Sequence, residues 1–238
     1  GPVDLRRSSK TYGCITTTPK PGWAWCDMVG TFRRALGVSV GFDTDVNASV
    51  LGEVRFGQGR GLSTVLYLTV GTGIGLGVYL NGALHHGIVH PEAGHVLLSL
   101  HPEEHWTCRC PYHPNCLEGL ACGPAIEERW GARAEALAQR RKVWEMEAYY
   151  IAQALVDYIC ILAPEKIILG GGVMRQRQLF PLIRSEVRRM MGGYLAAEEL
   201  NDLDTYIVPE SLNGDQGILG SLCLGAAEWA REHGGREA

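Results

Sequence analysis

Val65-Leu66-Tyr67-Leu68-Thr69-Val70, running straight into Gly71-Thr72-Gly73-Ile74-Gly75, is the stretch on which the fold turns. The first six residues are rich in β-branched and aromatic side chains and read as a strand that empties into a glycine cluster. Gly77 to Leu80 reads as a second strand, and Asn81-Gly82 after it is a strong hairpin-turn signal. The arrangement recurs downstream, where Ile167-Ile168-Leu169 reads as a buried strand ending in Gly170-Gly171-Gly172. Between the two, apolar residues at Trp144, Ala148, Ile151, Leu155, Tyr158 and Leu162 have helical spacing from Arg141 to Leu162, and Pro164 stops that helix. Further helices are expected over 179–191 and 217–229. Upstream, Val38-Ser39-Val40-Gly41-Phe42 reads as a short buried strand. Asp43-Thr44-Asp45 follows, then a helix that Asp45 or Asn47 could cap. Strands alternating with helices make an α/β protein.

Composition narrows the function. A chain of 238 residues can bury a full core, as one large domain or two small ones. Its formal charge is −4 and it has no long run of Lys or Arg, which argues against nucleic acid as a partner. No stretch of about 18 apolar residues occurs, so no membrane-spanning helix is expected. The opening residues lack the apolar core of a signal peptide. The eight cysteines therefore read as thiols or metal ligands, and the expected compartment is the cytoplasm.

Glycines at the end of a strand let backbone N–H groups approach an anion or a flat ring with no Cβ in the way. Neither cluster is a P-loop, because no Gly-Lys-Ser/Thr follows, and neither completes the dinucleotide pattern G-x-G-x-x-G. Tight turns at the sheet edge are the plain alternative for each. Thr72 adds a hydroxyl donor where a phosphate oxygen would sit.

The segment from His85 to Cys116 has little periodicity and is dense in His, Cys and Pro, so something other than apolar packing must hold it. Cys110-Pro-Tyr-His113-Pro-Asn-Cys116 supplies three ligands at short spacing, and His95 returns from upstream as a fourth. Thiolates and imidazoles in that pattern select zinc, and four of them close a tetrahedral structural site. Cys108 is a fifth candidate that could replace either histidine; unligated thiols in a surface loop are the bland alternative. His90-Pro91-Glu92-Ala93-Gly94-His95 resembles a zinc-protease helix, but Pro91 and Gly94 oppose a helix and the spacing is wrong. Asp45, Glu92 and Glu118 lie beside a loop or the metal cluster. Each could orient or deprotonate a substrate hydroxyl, or serve only as a cap or a tether.

In order, Phe42 to Ala48, Val70 to Gly75, His90 to His95, Cys110 to Glu118 and Leu169 to Val173 resemble the ROK family of repressors and sugar kinases. Within the family, Gly1-Pro2-Val3-Asp4 and Cys110-Pro-Tyr-His113 with Leu117-Glu118-Gly119 are most similar to the fructokinase branch. The resemblance implies an actin/hexokinase-like (ribonuclease H-like) fold of two domains with an inserted zinc-binding loop, and a homodimer. On that likeness residues 1–56 are the remainder of a small N-terminal domain and 57–213 a large domain with the zinc loop at 95–116. Residues 214–238 are a C-terminal helix returning to the small domain. The implied reaction is phosphorylation of a hexose by Mg-ATP, with D-fructose as substrate and fructose 6-phosphate as product. Asp45 is implied as the base, and Asn47, Glu92, His95 and Glu118 as sugar contacts. Gly71, Thr72 and Gly73 would meet the transferred phosphate, Gly171 and Gly172 the adenosine. The other readings are a kinase of glucose or mannose, and a non-catalytic sugar-binding or regulatory module. Thr44 stands where many family kinases carry Asn. The family's opening strand and Asp-x-Gly-x-Thr loop have no counterpart here, so the first hairpin of the small domain is expected to be missing from this chain.

Overall fold

The computed structural model describes residues 2–18 and 20–234. Gly1, from the opening motif, and residues 235–238, from the expected C-terminal segment, lie outside the described residues. In chain order the helices and strands are α1 (Met28–Leu36), α2 (Asp45–Phe56), β1 (Val65–Val70), β2 (Ile74–Leu80), β3 (Ala83–Leu84), α3 (Leu117–Ala121), α4 (Gly123–Trp130), α5 (Arg141–Leu162), β4 (Lys166–Gly170), α6 (Leu179–Met191), α7 (Leu203–Tyr206), β5 (Ile207–Pro209) and α8 (Gln216–Glu232).

The strands form one sheet in the order β3-β2-β1-β4-β5. Three antiparallel strands form a meander, and β4 and β5 extend it in parallel from β1. This is the α/β, ribonuclease H-like layer that the sequence predicts. The hairpin turn at Asn81-Gly82 is present with both residues at positive φ, 52° and 85°, as a tight two-residue turn with matching twist requires.

Period-2 alternation decides which side of each strand meets which helices. Leu66, Leu68 and Val70 of β1, Ile167 and Leu169 of β4, and Ile207 of β5 face the larger core, which α5 and α6 cover. Val65, Tyr67, Ile168 and Val208 face the other way and pack with Val50 and Val54 of α2. Because both faces are covered, the strands read as continuous apolar runs. α8 lies beside α2 on that second face, and two glycines permit close approach, Gly77 of β2 to α2 and Gly220 of α8 to α2. A Cβ on Gly77 would sit 2.0 Å from the Val46 carbonyl oxygen, and one on Gly220 would sit 1.7 Å from that of Ala48. α2, which falls within the expected segment 1–56, packs on this sheet.

The strand expected over Val38 to Phe42 does not form. That segment runs against the backbone of α8, where a Cβ on Gly41 would lie 2.5 Å from Leu224, and pairs with no strand. No helix among the described residues is long and apolar enough to cross a membrane.

Candidate active site

The site is built where β1, β4 and α2 end. Thr44 caps α2: its Oγ1 accepts from the Asn47 amide at 3.1 Å. With capping done by its neighbour, Asp45 is exposed at the helix start, and of its carboxylate only Oδ1 is engaged, by the adjacent Val46 N–H at 3.0 Å. Asp45 borders a cleft of about 290 Å³ that Gly171, Gly172, Tyr67, Glu210 and Gln216 also line. Gly171 turns at φ +92°, and a Cβ there would lie 2.5 Å from the Val70 carbonyl oxygen. Only glycine lets that loop fold back over β1.

The two glycine loops meet. A Cβ on Gly71 would lie 3.9 Å from the Gly172 nitrogen. From there the first loop leads to Glu118, whose Oε2 accepts from the Ile74 N–H at 2.9 Å and would sit 2.8 Å from a Cβ on Gly73. Glu118 Oε1 is 3.8 Å from His95 Nε2. Glu92 lies one turn before His95, its carbonyl accepting the His95 N–H at 3.0 Å, and its carboxylate is 3.7 Å from His90 Nε2. Thr72 is exposed at the tip of its turn. The structure thus joins Asp45 to Gly171 and Gly172 in one cleft, and Gly73, Glu118, His95 and Glu92 in a second group beside it.

Asn47, expected to touch the sugar, is fully buried. Its amide donates to Asp43 Oδ1 at 2.7 Å and accepts from the Val78 N–H at 3.3 Å. These bonds fasten α2 to β2 and fix the Asp43–Asp45 loop, so Asn47 positions the loop. Asp43 also takes His86 Nε2 at 2.8 Å, and that bond raises the imidazole's pKa above its ordinary value. Nothing in the sequence marked His86, because its partner lies 43 residues away in the chain.

His95, Cys110, His113 and Cys116 converge, with their ligand atoms all within 4.8 Å of one another. Cys110 Sγ is 3.4 Å from His113 Nδ1 and 3.9 Å from His95 Nδ1, and Cys116 Sγ is 3.6 Å from His95 Nδ1. The ligand–ligand edges of a tetrahedral zinc site are about 3.4–3.8 Å for ordinary Zn–N and Zn–S bonds. The quartet therefore suits a tetrahedral metal ion. Cys108 stays out of it, its thiol directed at the His113 carbonyl at 3.3 Å. His95 presents Nδ1 to the cysteines and Nε2 to Glu118, the orientation of a ligand held by a carboxylate behind it.

Comparison with known proteins places the chain in a family. The ROK family model matches residues 1–228. A Bacillus subtilis (strain 168) protein, provisionally named a fructokinase, is 52% identical over 225 residues, covering 94% of this chain and 75% of its own length. The fructokinase of Pediococcus pentosaceus is 42% identical over 227 residues, covering 95% of this chain and 78% of its own. The crystal structure of a ROK hexokinase from Thermus thermophilus superposes with a TM-score of 0.76 at 26% identity, over 98% of this chain and 77% of the other. By fold, by motif order and by overall identity, the chain belongs to the ROK family.

Proposed function

We propose that this protein is an ATP-dependent fructokinase, with Asp45 as the base that takes the proton from the attacking hydroxyl. The observation that carries this assignment is the division of labour at the start of α2. Thr44 does the capping, so Asp45 is left exposed on the cleft it shares with Gly171 and Gly172. The C6 hydroxyl oxygen of fructose attacks the γ-phosphorus in line, its proton passes to the Asp45 carboxylate, and the P–O bond to ADP breaks. Glu92, His95 and Glu118 orient the sugar. Gly71, Thr72 and Gly73 hold the transferred phosphate, and Gly171 and Gly172 receive the adenosine. Magnesium accompanies ATP and offsets phosphate charge. His95, Cys110, His113 and Cys116 would hold a zinc ion, which would play a structural part by keeping His95 beside Glu118 at the sugar pocket. We extend the proposal to a two-domain, cytoplasmic homodimer, with α2 counted in the sheet domain because it packs on β1.

The test is ATP-dependent phosphorylation measured across fructose, glucose and mannose. Fructose should give the highest kcat/KM; preference for either other sugar would refute the sugar assignment, and sugar binding without turnover would favour a regulatory module. Asp45→Asn should lower kcat by about 10²–10⁴ while sugar binding survives. Near-normal turnover in that variant would remove Asp45 as the base.

A further inference from the structure

The cleft beside Asp45 poses an electrostatic problem. Among its lining residues the charged side chains are Asp45, Glu210 and Arg175. Glu210 is tied down, its Oε2 accepting from the Tyr67 hydroxyl and the Gln216 amide, each at 2.8 Å. Two carboxylates so close would repel a nucleotide's phosphates unless a cation faced them.

Arg175 is placed to be that cation. It ends a single 3₁₀ turn, Val173–Arg175, that follows the Gly170-Gly171-Gly172 loop directly. Its N–H donates to the Gly172 carbonyl at 3.3 Å, which folds the turn back on the loop. Val173 and Met174 are buried under it, so the turn is pinned before any ligand arrives. Among the described residues Arg175 has neither an ion-pair nor a hydrogen-bond partner for its guanidinium, unlike Arg129 or Arg184, which are committed elsewhere. An exposed surface arginine needs no purpose, but this one lines the same small cleft as the proposed base.

Resting on the kinase reading, we infer that Arg175 is a nucleotide-binding residue, its guanidinium contacting the phosphates of ATP and ADP across the Gly171–Gly172 loop from Asp45. A planar guanidinium suits phosphate oxygens, and a charge-assisted contact of this kind is stronger than a neutral one. Glycines make the loop approachable, and the arginine adds the charge that glycines lack.

The experiment is equilibrium binding of MgADP and of adenosine to the wild-type protein, Arg175→Ala and Arg175→Lys, with thermal melts to check folding. Arg175→Ala should weaken MgADP about 10–100-fold and leave adenosine unchanged, with Lys restoring part of the loss. Equal MgADP affinity in wild type and Arg175→Ala would overturn the inference. An equal loss for MgADP and adenosine would overturn it too, since that is what a merely structural role predicts. A wild-type protein that binds MgADP through Arg175 but prefers glucose would sink the fructose assignment alone. Failure of the wild type to bind MgADP would sink both.

Discussion

At the scale of single residues, the site depends on who is spared from structural duty. Thr44 caps α2 and so frees Asp45. Asn47 is spent on Asp43 and Val78, and Asp43 is spent on Asn47, Thr44 and His86. His86 thus braces the loop that presents Asp45, and it does so best when charged. Its pKa is raised by the Asp43 bond, so its contribution to stability is fully present below the ordinary histidine value of about 6.5 and is lost as the pH rises through the raised folded value. Because the imidazole is part-exposed, the contribution is at most about 1 kcal/mol. His86→Gln keeps a donor but cannot titrate. The stability difference between wild type and His86→Gln should shrink as the pH rises through and above the histidine range, read from denaturant midpoints. A difference that stays constant with pH would show that the pair carries no charge.

Elements show what periodicity can and cannot carry. The helices at 141–162 and 179–191 appear with the expected bounds, because each is long enough for an apolar stripe to repeat. α3, α4 and α7 span eight residues or fewer, too little for the pattern to announce itself, and β5 is three residues whose partner β4 lies nearly forty positions upstream. Val38 to Phe42 has the composition of a strand, yet it pairs with no strand among the described residues and packs at Gly41 against the backbone of α8. The metal quartet was legible because ligand chemistry survives without regular structure; the setting of Arg175 was not, since nothing local distinguishes it. The segment that carries the Cys/His quartet also has an anchor that spacing could not reveal. Arg129 and Glu104, both buried, pair at 3.0 Å, and the Tyr150 hydroxyl donates to Glu104 at 2.8 Å while accepting the His101 N–H. Ser99 is bonded through both backbone groups to Gln153 of α5. Metal analysis should therefore find about one zinc per chain, and chelation should release only part of the loop. Hydrogen exchange should speed up over 107–116 and at His95, while 98–106 stays protected. A metal-free protein as protected over 107–116 as the metal-bound one, or exchange unchanged after chelation, would count against the clip.

Across the whole molecule, the N-terminal segment and α1 are tied to the rest of the fold by the Val3 N–H, which donates to His90 Nε2 at 3.1 Å, and by α8, where one carboxylate gathers the contacts. Glu228, almost fully buried, accepts from Arg7, from Arg33 at 2.9 Å and from Arg231 at 2.8 Å. Its bonds to Arg231 and Arg7 hold its pKa down at about 2. Three guanidiniums from the N-terminal segment, α1 and α8 converge on one acceptor, so removing its charge takes away the carboxylate facing Arg7 and leaves Arg33 and Arg231 with Glu232 alone. Glu228→Gln should cost about 2 kcal/mol, less than a wholly buried pair because the arginines keep contact with water. The carboxylate's pKa is depressed, so its contribution is present above the ordinary value of about 4.3 and disappears as the pH falls towards 2. Wild type and Glu228→Gln should therefore differ at pH 7 and converge in acid. The loss should also be regional. Residues 2–36 carry few buried apolar side chains, Val3 and Val29, so the tie to α8 is a large share of what holds them. Limited proteolysis of the variant should cut that segment first and leave 65–209 intact. Uniform cleavage along the chain would mean that the segment and the sheet unfold as one cooperative unit, with Glu228 no more than a local ion pair.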